Sequence, residues 1–237
     1  MSSNIVGYQK VALDPGYNMI GMQFVEVGSG DAKALADAAT LDSSMAGFDE
    51  DGFYATELMV WKNGNYTTFG WSGSSGTDVL GDDSLDNKWL DKDLEETADE
   101  LAAEDAVWIK AEKVGTVTVC GQVPSEDTVT VPLSAGYNMV ANPYPKTVKV
   151  ADFGVLSANM AGFDEDGFYA TELMVWKNGN YTTYGWSGSS GTDVLGDPSL
   201  DNKWLDKDLE ETNDTVDFGH GVWIKAASAG SITFSAE

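Results

Sequence analysis

Residues 45–97 and 160–212 are one fifty-three-residue block written twice, 115 positions apart, with Phe69 against Tyr184 and Asp83 against Pro198 as the differences. A repeat this faithful ties the two halves together: the fold that buries the apolar face of the first block must bury the same face of the second. Outside the block the match continues with looser identity. AVWIKAEKVGTVTVCGQ (106–122) matches GVWIKAASAGSITFSAE (221–237), and VALDPGYNMIGMQF (11–24) matches VPLSAGYNMVANPY (131–144) at an offset of 120. The change of offset puts five extra residues into the first half, around GDAKALADAAT. The chain is read as two tandem copies of one domain, 1–122 and 123–237, and 237 residues suffice for a core in each.

Each copy reads as β. ELMVWK is rich in strand formers, KNGN offers an Asn-Gly pair for a two-residue type I′ hairpin, and NYTTFGW continues as the partner strand. AVWIKAE, TVTVCGQV, TVTVPL and the GYNMI/GYNMV segments add short runs punctuated by Gly or Pro. The expected fold class is all-β with minor helix, as two tandem homologous β-sandwich or barrel-like domains. ALADAATL reads as a short helix in the first copy. LDNKWLDKDLEETADELAAE has helix formers too, but its twin ends in the poor helix former NDTVDFGHG, so a shared fold favours an extended segment or a loop with one turn around KWLDKDL.

Charge excludes some functions. The chain has 13 basic against 39 acidic residues and a formal net charge of −26. Every basic residue is Lys, so the clustered cations that neutralise phosphates are missing, which argues against nucleic acid and against docking on anionic lipid. No apolar run reaches the roughly 20 residues of a membrane-spanning helix, and no membrane insertion is expected. The single Cys120 forms no intrachain disulfide and reads as a small buried apolar residue. MSSNIVGYQK lacks the basic start and apolar core of a secretory signal, so the expectation is either a cytosolic protein or a chain numbered from near a mature N-terminus, and abundant Gly, Ser, Thr and aromatics favour the second, an extracellular or cell-surface β protein.

Asp49, Asp51 and Glu57, with their twins Asp164, Asp166 and Glu172, look like a truncated calcium loop: hard oxygen ligands, a turn glycine and a distal carboxylate. Full twelve-residue spacing is missing, and calcium stands as a possible cofactor beside the plainer reading of an acidic loop entering a strand. The tryptophans recur as four pairs. Trp61 and Trp108 sit in apolar runs and read as core, whereas Trp71 and Trp186, set in GWSGSSG, read as surface aromatics for a polysaccharide or a protein contact. Asn65, Asn180 and Asn213 each open an N-glycosylation triplet. Catalytic signatures are missing: His220 stands alone, without a nucleophile elbow, phosphate loop or Cys/His metal set, so no enzyme is expected.

The order GYNMVANPYP, ELMVWKNGNYTTYGW, GHGVWIKA and SITFSAE resembles tandem secreted or surface β-domain repeat proteins of bacteria. That resemblance implies a β-sandwich-like fold and an extracellular place, and it carries no functional residue across. Joining SITFSAE of one molecule to MSSNIVGYQKVALDPGYNM of the next reproduces the plan of the junction between the copies. The chain is therefore expected to partner itself head to tail, as a homopolymer through its N- and C-terminal strands, in a filament or surface layer. A carbohydrate-binding or adhesive surface module is the alternative.

Overall fold

A computed structural model describes residues 5–49, 52–75, 81–188 and 197–237. It is nearly all-β, with two similar sets of sheets. In the first copy the longer strands are β1 (Val6–Leu13), β2 (Gly16–Gly21), β5 (Glu57–Lys62), β6 (Asn65–Trp71), β9 (Ala106–Ala111) and β10 (Gly115–Gln122). Two-residue strands β3 (Lys33–Ala34), β4 (Thr40–Leu41), β7 (Trp89–Leu90) and β8 (Glu100–Leu101) fill between them. The second copy repeats the series as β11 (Thr128–Leu133), β12 (Gly136–Ala141), β13 (Val148–Lys149), β14 (Val155–Leu156), β15 (Glu172–Lys177), β16 (Asn180–Trp186), β17 (Trp204–Leu205), β18 (Thr215–Val216), β19 (Gly221–Ala226) and β20 (Gly230–Ser235).

Copy one forms a three-stranded sheet, β1-β10-β4, a five-stranded sheet, β2-β9-β5-β6-β7, and the small pair β3-β8. Copy two forms β11-β20-β14, β12-β19-β15-β16-β17 and β13-β18. All pairings are antiparallel, and every sheet draws its strands from one side of the division at 122/123. The three- and five-stranded sheets of a copy share one core. Val11, Leu13, Val117 and Val119 on the first meet Ile20, Leu58, Val107 and Ile109 on the second, and Val131, Leu133, Ile232 and Phe234 meet Val140, Leu173, Val222 and Ile224 in the twin. This is a sandwich-like arrangement, with alternate residues of the strands turned inward.

Local chemistry accounts for the connections. The KNGN hairpin turns at Asn63 and Gly64, both at positive φ (53° and 80°), as a type I′ turn requires, and Asn178 and Gly179 repeat it. Gly70 and Gly185 sit directly under the rings of Tyr54 and Tyr169, where a Cβ has no room. Each tyrosine hydroxyl donates to a backbone carbonyl, Tyr54 to Asp91 (3.1 Å) and Tyr169 to Asp206 (3.0 Å). Burial pushes both phenols up to about 12.

The helix expected over ALADAATL is one 3-10 turn at Leu35–Asp37 between β3 and β4, because both ends of the segment are claimed by ladders. KWLDKDL is extended at Trp89–Leu90 after a 3-10 turn at Asp83–Leu85, in line with the non-helical reading.

Candidate functional site

The five-stranded sheets carry apolar residues on both faces. On β9, Val107 and Ile109 point into the sandwich core, and the alternate residues Ala106 and Trp108 point the other way and are buried as well. What covers them is the equivalent face of the other copy. Met19, Ala106 and Trp108 pack with Met139, Ala141 and Trp223, flanked by Met59, Trp61, Met174 and Trp176. A strand with a continuous apolar run is the signature of burial on both faces.

This seam obeys an internal twofold. Trp61 meets Trp223 edge to face at 5.3 Å between ring centroids, and the twin pair Trp176 and Trp108 does so at 5.4 Å. The Trp61 indole N–H donates to the Tyr137 carbonyl (2.9 Å), and that of Trp176 to the Tyr17 carbonyl (3.0 Å). Backbone bonds repeat the relation: Gly21 N–H donates to Gly219 O (2.9 Å), and Ala141 N–H to Glu104 O (2.7 Å). Edge-to-face pairs place the positive ring edge on the negative ring face and add about 0.5–1.5 kcal/mol each beyond burial. Four of the eight tryptophans thus serve the seam.

Two open grooves flank it. One, of about 480 Å³, is lined by Tyr17 and Asn18 of copy one and Trp176, Lys177, Asp217 and His220 of copy two. The other, of about 620 Å³, is lined by Trp61, Glu104 and Asp105 of copy one and Ser134, Tyr137 and Asn138 of copy two. Their aromatic and amide groups correspond, but their charges do not: Asp105 stands where its twin is His220. Burial holds the Asp105 and Glu104 carboxyls above the usual carboxylate range.

The residues singled out in the sequence fare differently. Trp71 and Trp186 are not surface aromatics: each is 1% exposed, tilted against Trp89 or Trp204 at 5.1 Å inside its own sandwich. Strand alternation places them on the inner face with Phe69 and Tyr184, whatever the polarity of the loop that follows. Trp61 and Trp108 lie in the seam rather than in a domain core, and Cys120 is exposed rather than buried, because alternation along β10 turns it away from the core that holds Val117 and Val119.

The acidic loop is organised by its own backbone. Asp49 Oδ1 accepts the Phe53 N–H (2.9 Å), and Asp164 Oδ1 accepts those of Asp166 (3.0 Å) and Phe168 (2.9 Å). Glu57 and Glu172 are drawn across the ladder to Lys110 and Lys225, both at 3.0 Å. Asp51 lies outside the described residues. In copy two, where all three candidates are described, Asp164, Asp166 and Glu172 do not come together as a ligand set, and no such acidic, His or Cys group forms elsewhere among the described residues. The same loops present Phe53 and Phe168 to solvent, an exposure that sequence reading missed.

The outer face of copy one is the other candidate surface. β1 pairs with β10 on one side and with no strand on the other among the described residues. Beside it Ile5, Val6 and Tyr8 are 69%, 58% and 70% exposed. Their twins are Ser125, Glu126 and Thr128, and edge strand β11 carries Pro132 where β1 has Ala12. The C-terminal strand β20 lies between β11 and β14 within its own copy. Among the described residues no helix is long and apolar enough to cross a membrane. Comparison with protein-family models, with curated proteins and with solved structures finds no match.

Proposed function

We propose that the chain is an extracellular structural subunit that self-associates through the first copy, head to tail, into a filament or surface layer. The observation that carries this reading is the open edge of β1 with Ile5, Val6 and Tyr8 exposed beside it. An unpaired strand edge flanked by apolar side chains is a template for another strand, and Lys or Pro is the usual protection against it. Copy two carries Pro132 and polar twins at the corresponding edge, whereas on β1 a single Lys10 follows Val6 and Tyr8 on the exposed face, so the N-terminal half of β1 is the part left unprotected. Because the sticky surface exists on one copy, a fibre requires it to meet a different surface on the next chain, a heterologous contact that does not close. The C-terminal strand, central in its sheet, is a poorer acceptor than an edge strand of copy two.

Net charge sets the condition, since subunits at −26 repel one another and screening salt favours assembly. The test is multi-angle light scattering and negative-stain microscopy on the full chain across salt and protein concentration. Fibres that disappear in a Val6→Lys/Tyr8→Lys variant support the reading. Persistent monomer, or closed dimers alone, overturns the filament.

The seam grooves favour a second reading, as sites for a polysaccharide. Each joins a tryptophan, a half-exposed tyrosine and an asparagine, the aromatic and amide mixture that sugar rings and hydroxyls use. Glycan-array binding that is lost on Tyr17→Ala and Tyr137→Ala supports it, and an array without signal removes it.

A further inference from the structure

At the centre of the seam lie four small residues. Gly21 is paired with Ala106 across β2 and β9, and Ala141 with Gly221 across β12 and β19. Gly21 and Ala141 are twins, as are Ala106 and Gly221, so on the internal twofold each residue faces its own equivalent. A Cβ added at Gly21 would stand 2.7 Å from the Ala141 Cβ, and one added at Gly221 would fall closer still to the Ala106 Cβ. Real Cβ atoms do not approach so near. Neither glycine has the left-handed backbone that would call for glycine on its own account. Room for one methyl at each contact is what the seam imposes.

From this we infer that the seam is a one-of-each lock: it accepts a copy one against a copy two and rejects two copies of the same kind. Copy one against copy one would set Ala106 on its equivalent, a clash, and Gly21 on its equivalent, a hole. Copy two against itself would set Ala141 on its equivalent and leave the hole at Gly221. Mixed pairing places one methyl at each contact and needs no adjustment. The surface of copy one therefore fits a copy two, in its own chain or in a neighbouring one, and the identical block contributes the tryptophans without deciding the choice. This inference stands independently of the assembly proposed above, which uses the opposite sheet.

Both like-with-like seams can be built inside the full chain. Ala141→Gly with Gly221→Ala gives copy two the small residues of copy one, and Gly21→Ala with Ala106→Gly does the reverse. Each pair exchanges one Gly for Ala and one Ala for Gly, so backbone-entropy effects largely cancel and the fit at the seam remains. Each double variant is expected to lower Tm by about 4–12 °C, from one overpacked and one underpacked contact. The quadruple variant, carrying all four changes, restores one methyl per contact and is expected to recover most of that loss. Double variants that melt with the wild type, or a quadruple variant no more stable than either double, overturn the lock. Recovery in the quadruple variant also separates the lock from a general intolerance of substitution at these strands.

Discussion

Phe24 in copy one is Tyr144 in copy two, Phe69 is Tyr184, and Asp42 is Ser157. Each exchange is settled within its own copy. The Tyr144 hydroxyl donates to Glu126 O (2.7 Å) and that of Tyr184 to Asp214 Oδ2 (2.6 Å), so the rings keep their place in the core and the added oxygens find partners at its margin. Asp42 Oδ2 accepts the Thr116 N–H (2.6 Å), and Ser157 Oγ accepts the N–H of Ser231 (3.0 Å), the twin of Thr116. Seam residues behave otherwise, because Gly21 can change only if Ala141 changes with it. Differences inside a sandwich are absorbed one hydrogen bond at a time, whereas differences on the twofold must come in pairs.

The first way to break this equivalence is at Trp71 and Trp186, which pack against twin tryptophans in the two cores. Trp71→Ala and Trp186→Ala each remove a buried indole and are expected to cost about 3–5 kcal/mol. Denaturant unfolding should give equal losses within error. A clear inequality would mean that the copies share residues without sharing energetics.

Much of this was legible in the sequence, and for physical reasons. Hairpins at Asn63-Gly64 and Asn178-Gly179 follow from the φ values that the turn demands, and alternation in ELMVWK separates Leu58 and Val60 from Met59 and Trp61. Alternation sorts residues by face but does not say which face is inside. The polar neighbours of Trp71 point it to the surface, whereas its face, shared with Phe69, is the inner one. The seam left a signal in AVWIKA, whose two faces are both apolar: a sandwich covers one, so a second partner was implied. Spacing along the chain lines up the carboxylates considered for calcium, but it does not show that Glu57 and Glu172 stand beside lysines on β9 and β19, a pairing set by register across the sheet.

A finer test exchanges the aromatic pair that the block does not conserve. Tyr184→Phe loses the bond to Asp214 and is expected to cost about 1 kcal/mol. Asp99, the twin of Asp214, keeps the same backbone bond (Leu35 N–H to Asp99 O, as Val150 N–H to Asp214 O), so Phe69→Tyr is expected to find the equivalent partner and to be neutral or slightly stabilising. Chemical denaturation of both variants reads the difference directly. A loss in both would show that the pocket around residue 69 is closed to an oxygen.

Asp42 gives the comparison a pH axis. Hydrogen bonds from the Ser44 hydroxyl and N–H and from the Thr116 N–H lower its carboxyl to about 2. A lowered pKa means that the folded state favours the charged form. The stabilisation is present above the unfolded value near 3.8 and is lost as pH falls through about 2. Asp42→Ser makes copy one resemble copy two and is expected to flatten the acid limb of the stability profile between about pH 4 and pH 2, with a loss of under about 1 kcal/mol at pH 7. A variant whose acid limb matches the wild type would place the acid sensitivity elsewhere.

The smallest effect has the opposite sign and belongs to the seam. Asp105 is raised above the usual carboxylate range, chiefly because burial penalises its charged form, although its Oδ2 accepts the Ala102 N–H at 2.8 Å. The folded state therefore holds this proton more tightly than the unfolded chain does. Asp105 weakens the fold increasingly as pH rises from the unfolded pKa through the folded one, and by a constant amount above it. Asp105→Asn keeps an oxygen for Ala102 and removes the charge. It is expected to stabilise the chain by a few tenths of a kcal/mol to about 1 kcal/mol at pH 7 and by nothing below about pH 4. Its twin His220 lines the other groove, so His220→Asn should leave that carboxylate-range dependence unchanged. Thermal melts of the two variants at pH 4 and pH 7 check the sign. A gain for Asp105→Asn at pH 4 equal to that at pH 7 would show that packing at this corner of the seam, rather than charge, sets the difference between the grooves.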